Sequence, residues 1–267
     1  MVGKLLVRGM LAGLLAGFVA FGFARIVGEP RVDRAIAFES LHEHGEAAAS
    51  DAPGLVHDHG HAHAGAAQAD GDDDAVVSRS TQRGLGLLTG VAVYGTAMGG
   101  LFALVFAFAH GRLGPLRPRA LALTLALLAY LVLIVVPAVK YPANPPAVGS
   151  GDTIGTRTAL FFVMIAASIV CAAIGFAVRR RALAALGNWN GSTLGAVVFV
   201  VLVTAVQLAL PTIDEVPAGF PGSLLWQFRV SALGLQLILW TVLGLVFGWL
   251  VERDARLPAS SGAALRA

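Results

Sequence analysis

The sequence predicts an all-α protein: a polytopic membrane helix bundle of about six transmembrane helices, with a long His-rich extracytoplasmic loop. Three observations predict it. Of 267 residues, 57% are hydrophobic and only 13% are charged, about half the charged fraction of an ordinary soluble domain. Six segments stay apolar for about the 20 residues that a helix needs to cross a bilayer. Between the first two lies a polar, acidic stretch that carries six of the seven histidines.

Residues 5–27 read as the first span. Lys4 and Arg8 precede its apolar stretch, and Gly22-Phe23-Ala24 resembles a cleavage site, so a signal peptide is the competing reading. The run is longer than the 7–15 apolar residues of a signal peptide, and Gly9, Gly13 and Gly17 recur every fourth residue. Both features favour a retained helix. The remaining spans are 85–109, 120–139, 158–178, 192–210 and 230–251. The fifth is short and follows a Gly-rich turn at 188–191. The chain therefore divides into a first helix (1–27), an extracytoplasmic His/Asp-rich loop, partly disordered (28–84), a five-helix membrane bundle (85–251) and a cytoplasmic tail (252–267). Gly86/Gly90, Gly95/Gly99 and Gly244/Gly248 repeat the glycine spacing. In lipid, close packing through small residues replaces the hydrophobic drive for helix association.

Lys4, Arg8, Arg112, Arg117, Arg119, Arg179, Arg180, Arg181, Arg253, Arg256 and Arg266 fall at one end of such a bundle. The short loops of the other end carry Lys140, Arg157 and Arg229. The positive-inside rule puts both termini in the cytoplasm and the His-rich loop outside. An inner, cytoplasmic membrane of a bacterium is the expected location.

The outer loop opens with Gly28-Glu29-Pro30, where Pro30 suits a first helical turn and Glu29 the positive end of the helix dipole. A short amphipathic helix over 28–39 is expected, resting on the bilayer or capping the bundle. Beyond Ala47 the loop holds too few large apolar residues to fold alone, so disorder without metal is expected. Its densest part is His57-Asp58-His59-Gly60-His61-Ala62-His63, with His42 and His44 upstream. Neutral imidazoles spaced by small or acidic residues bind borderline divalent metals. Candidate metal ligands are His42, His44, His57, His59, His61, His63, Asp58, Glu29, Asp33 and Glu39. The run Asp70-Gly71-Asp72-Asp73-Asp74 is either a solvated linker or a field that concentrates cations; it lacks the spacing of an EF-hand.

The second outer loop carries Pro137, Pro142, Pro145 and Pro146, a rigid rim whose freed carbonyls, with Asn144 and Asp152, are candidate cation ligands. The third supplies Asp214 and Glu215. Inside the spans the notable polar residues are Gln207 and Gln236, which either bond a neighbouring helix or line a pathway.

Several classes drop out. The one cysteine, Cys171, precludes a disulfide framework or a cysteine-based cluster site. No nucleic-acid partner is implied, because the arginines track membrane topology. An enzyme is not expected: neither lysine belongs to a phosphate-binding loop. Gly84-Leu85-Gly86 opens a membrane helix, and Gly151-Asp152 has no paired base nearby.

Three groups of residues are distinctive together: Gly28-Glu29-Pro30 with Asp33, Arg34, Ala35, Ile36 and Glu39; Lys140-Tyr141-Pro142 with Pro145-Pro146; and Phe220-Pro221 with Trp226, Phe228 and Arg229. In these, and in its His-rich first loop, the chain resembles the CbtA family of probable cobalt transporter subunits over nearly its whole length. That family is described with five helices, whereas this sequence reads as six. The resemblance implies cobalt uptake and a small one-helix partner of the CbtB type. The expected function is transport of a divalent transition metal, most of all Co²⁺ uptake with capture by the outer histidines. Ni²⁺ and Zn²⁺ are the competing substrates, and no permanently bound cofactor is expected. The lipid bilayer, the metal ion and a homo-oligomer complete the expected partners. The alternative is a metal-binding accessory or sensor protein that moves nothing itself.

Overall fold

In a computed structural model the described residues are 2–50, 81–112 and 115–261, with side chains undescribed at 42–50, 82–83 and 254–261. Among the described residues all regular structure is helical. The elements are α1 (Val2–Phe23), α2 (Glu29–Ser50), α3 (Leu87–Ala109), α4 (Pro118–Ala129), α5 (Val136–Lys140), α6 (Ile154–Ala209) and α7 (Gly222–Ser261). Wider π-helical turns join α1 to α2 (Ala24–Gly28), lead into α3 (Gln82–Gly86) and join α4 to α5 (Tyr130–Val135).

Five continuous helical stretches are long and apolar enough to cross a membrane, with mean hydropathy between 1.9 and 2.7 over their most apolar windows. One of them, Gly151–Ala209, is 59 residues long, far beyond what a bilayer accommodates. It doubles back at Gly187, whose φ of 75° and ψ of 176° leave the helical region. Only glycine adopts that conformation readily. On either side of the turn Gly175 lies against the Gly195 carbonyl, Arg179 against Gly195, and Arg179 Nε donates to Ser192 Oγ at 3.0 Å. These pairs bracket the Gly187 turn, so α6 is an antiparallel hairpin and the spans among the described residues number six. The turn falls at Gly187, one residue before the expected one, and residues 188–191 are helical.

The expected glycine stripe meets its match on one neighbour. Gly9, Gly13 and Gly17 of α1 face Gly99, Gly95 and Val91 of α3, so closely that any Cβ there would meet backbone. Gly244 and Gly248 of α7 similarly face Ala126, Ala122 and Arg119 of α4. Gly90, in contrast, has nothing within 4 Å. The main core gathers Ala12, Ala16 and Ala20 of α1, Phe102, Ala103 and Phe106 of α3, Leu121 and Ala122 of α4, and Leu239, Trp240, Leu243 and Phe247 of α7. Phe102, Phe106 and Phe247 pack edge to face at 5.0–5.4 Å, the arrangement that ring quadrupoles favour.

These antiparallel contacts sort the ends. The starts of α1 and α4, the ends of α3 and α7 and the Gly187 turn lie together, bringing Lys4, Arg8, Arg112, Arg117, Arg119, Arg179 and Arg253 to one end. The opposite end is a cap. There α2, expected to stop near residue 39, runs on to Ser50 as a continuation of α1. Ala35 is fully buried against Val148, Phe220 and Leu224, and Phe38 meets Phe220 edge to face at 5.0 Å. Of the two expected placements, capping the bundle is the one observed.

Candidate functional site

The cap ties two proline-rich loops together. The Asn144 side-chain oxygen accepts a 3.0 Å hydrogen bond from Arg229. Lys140 Nζ donates to Thr212 Oγ1 at 3.0 Å, and Tyr141 Oη donates to the Pro211 carbonyl at 2.8 Å. Burial pushes the Tyr141 hydroxyl pKa up, so it remains a donor. Glu215 accepts from Thr153 Oγ1 at 2.9 Å and from the Ser150 N–H at 3.0 Å, and pairs with Arg157 at 3.5 Å. The Thr153 hydroxyl, the Ser150 amide and the Arg157 charge hold its carboxyl below the usual carboxylate range. Between Asn144 and Ser150, Ala147 adopts a positive φ of 67°, a strained conformation that its packing beside Val148 and Phe220 helps maintain.

The predicted rim residues thus divide. Asn144 is bonded to Arg229 of α7 and Glu215 to Ser150 and Thr153 of the facing loop, whereas Asp152 and Asp214 are exposed. On α2, Glu29 and Asp33 share one helix face a turn apart, while Glu39 falls away from it. His42 and His44 lie on the helical backbone of α2, with side chains outside the described set. His57, Asp58, His59, His61 and His63 lie outside the described residues. Among the described residues no three histidine, cysteine or acidic side chains converge as a metal site. The seventh histidine, His110, packs against Phe106 at the arginine-rich end.

The two membrane glutamines also divide. Pro137 has no N–H, so it cannot bond the carbonyl one turn earlier, and the preceding π turn widens the helix. Side chains of α6 take up carbonyls of this broken helix. Ser168, fully buried, donates to Val132 O at 2.6 Å, and Gln207 Nε2 donates to Val136 O at 3.1 Å. The two carbonyls on either side of this break, Val132 O and Val136 O, thus each accept a side-chain hydrogen bond. Gln236 differs: its Oε1 is shut off from solvent with no hydrogen-bond partner, as is Trp240 Nε1 one turn on. Each such atom costs about 1–3 kcal/mol when left unsatisfied. Spacing alone did not mark Ser168 or Trp240 as relevant: both read as ordinary residues of apolar runs.

Fold and polar cap define an integral membrane protein: a six-span helix bundle with loops tied over one end. The chain belongs to the CbtA family, probable cobalt transporter subunit, whose sequence model matches residues 2–252. No curated protein and no solved structure matches the chain. Family membership makes this a subunit with a metal transport role, cobalt being its expected substrate, and implies a partner protein.

Proposed function

We propose that the chain imports Co²⁺ across the cytoplasmic membrane of a bacterium, with the arginine-rich end and both termini inside and the cap outside. The family match carries this reading, and the segregation of arginines to one end supports the orientation of the chain in the membrane. His42, His44, His57, His59, His61 and His63, with Asp58, collect hydrated metal from outside. Glu29, Asp33 and Glu39, with Asp152 and Asp214 on the rim, then replace part of its hydration. An inside-negative potential drives entry: each charge gains about 2.3 kcal/mol per 100 mV, so a divalent ion gains roughly 4.6. A CbtB-like one-helix subunit completes the transporter, and no catalytic chemistry is involved.

One observation favours a second reading. The middle of every span is free of charged side chains, whereas translocation pathways usually contain ionisable groups. An accessory or sensor role would need none. Uptake of radioactive cobalt by cells lacking other importers, with and without the small subunit, separates the two. Saturable uptake that resists Ni²⁺ and Zn²⁺ supports import. No uptake in either case, with the protein present in the membrane, leaves the accessory role. Replacing His57, His59, His61 and His63 together should reduce uptake at low metal more than at high; unchanged uptake at all concentrations discards capture.

A further inference from the structure

The hairpin α6 meets the bundle mainly through the broken third span, and mainly in the half of that span nearer the cap. Ser168 bonds Val132 O, Gln207 bonds Val136 O, and Tyr141 bonds Pro211 O. Among the described residues, the hairpin's own core of Tyr141, Met164, Cys171 and Val203 takes in no part of α4, and the main core takes in no part of α6. Yet α4 continues the same helix face toward the arginine-rich end. Leu128 and Thr124 stand one and two turns before Val132. Both are exposed, Leu128 by 48%. Phe176, two turns beyond Ser168 on the hairpin, is 40% exposed. The third span and the hairpin therefore part toward that end and leave an apolar gap.

The mouth of this gap is basic. Val132 opposite Ser168 sets an antiparallel register, which brings Arg119 level with Arg181. Arg119 itself is turned toward Gly248 of α7. Arg117 lies two turns before Thr124, on the face of the gap. Arg179 is bonded to Ser192 and Asn188. Arg117, Arg180 and Arg181 are exposed and, among the described residues, have no hydrogen-bond or ion-pair partner. Among the side chains described at this end the one carboxylate is Glu252, on α7. Membrane topology places arginine at this end; it does not require three unpaired ones around an open apolar gap.

We infer that this gap binds an anionic phospholipid from the leaflet on the arginine side. Arg117 of the third span and Arg180 and Arg181 of the hairpin hold its phosphate, and an acyl chain lies along Thr124, Leu128 and Phe176. Such a ligand matches both parts of the lining. Guanidinium forks bind phosphate oxygens in pairs, and basic pockets between membrane helices take anionic headgroups. An acyl chain fills an apolar gap without bringing polar groups that need partners. The lipid site requires neither cobalt nor a partner subunit, so it stands or falls apart from the transport reading.

The test is native mass spectrometry of the full chain, purified in a nonionic detergent and titrated with phosphatidylglycerol, phosphatidylcholine or inorganic phosphate. A single saturable phosphatidylglycerol adduct is expected. An arginine near an anionic headgroup strengthens binding about fivefold, so Arg117→Gln and Arg181→Gln should each weaken the adduct by about that factor. Arg253→Gln removes the same charge from the same end, but from α7, where Arg253 lies over Trp249; it should change little. Leu128→Trp should weaken binding by filling the gap, whereas Leu101→Trp, on α3 and 55% exposed, should not. Equal affinity for the two lipids overturns the site. So does a loss on Arg253→Gln as large as on Arg117→Gln, which leaves only a diffuse basic field. Inorganic phosphate should fail to displace the lipid; full displacement overturns a lipid as the occupant. If Leu128→Trp does not accumulate, the arginine variants, whose side chains are exposed, decide alone.

Discussion

Replacing Gly13 by alanine should separate α1 from α3. A Cβ on Gly13 would fall within 2.9 Å of the Gly99 Cα and closer still to the Gly95 carbonyl. Ordinary contacts at a Cβ begin near 3.4 Å. Both obstacles are backbone, so no rotamer change relieves them and the helices must part. Gly17→Ala is milder: its Cβ would lie 2.8 Å from the Val91 carbonyl, needing a shift of roughly 0.6 Å. Over-packing of this kind costs typically about 1–3 kcal/mol, so Gly17→Ala should fall near the low end and Gly13→Ala near the high end. Gly90→Ala is the control on the facing helix, with nothing within 4 Å. There alanine should be neutral or stabilise by up to about 1 kcal/mol through helix propensity. The assay is reversible unfolding in mixed micelles of increasing denaturing detergent, followed by tryptophan fluorescence. The reasoning fails if Gly13→Ala and Gly90→Ala have the same midpoint.

Three further outcomes follow from the same structure. Glu215 has a depressed pKa in the folded chain, so its contribution is present above the ordinary carboxylate pKa of about 4.3 and is lost as pH falls through the lower folded value. Melting temperature should decline on acidification below that range, and Glu215→Gln should flatten the decline; an unchanged profile would count against the Thr153–Ser150–Arg157 network. Ser168→Ala leaves Val132 O without its side-chain donor and should cost about 0.6–1.7 kcal/mol, read as a lower unfolding midpoint; no change would mean that the π turn needs no help. Gly187→Ala forces a side chain into a glycine-only conformation and should cost about 1–3 kcal/mol, whereas Gly155→Ala, with open space around it, should not.

Some of the site was legible without coordinates, and the limit has a physical cause. Metal capture by the histidine tract is proposed from the identity of its side chains alone, because imidazole is a ligand wherever it sits. Which oxygens are available depends on neighbours. Gln207 and Gln236 look alike in sequence, yet one donates to Val136 O and the other keeps a shielded, unpartnered acceptor. Asn144 reads as a candidate ligand, but its oxygen accepts from Arg229, 85 residues away.

The same division runs through the fold. The sequence by itself determined the membrane class, the six spans and the sorting of arginines to one end. A bilayer imposes length and apolarity segment by segment, and forces each spanning segment to satisfy its own backbone as a helix. It also marked the Gly9–Gly13–Gly17 stripe, since spacing of four places residues on one helix face. Tertiary structure alone decided that the stripe meets Gly95 and Gly99, and that Gly175 meets Gly195 across a turn. It decided too that α2 continues α1 and closes over the two proline-rich loops. Those outcomes depend on which surfaces fit at close range, a property shared between segments distant in the chain and written in none of them singly.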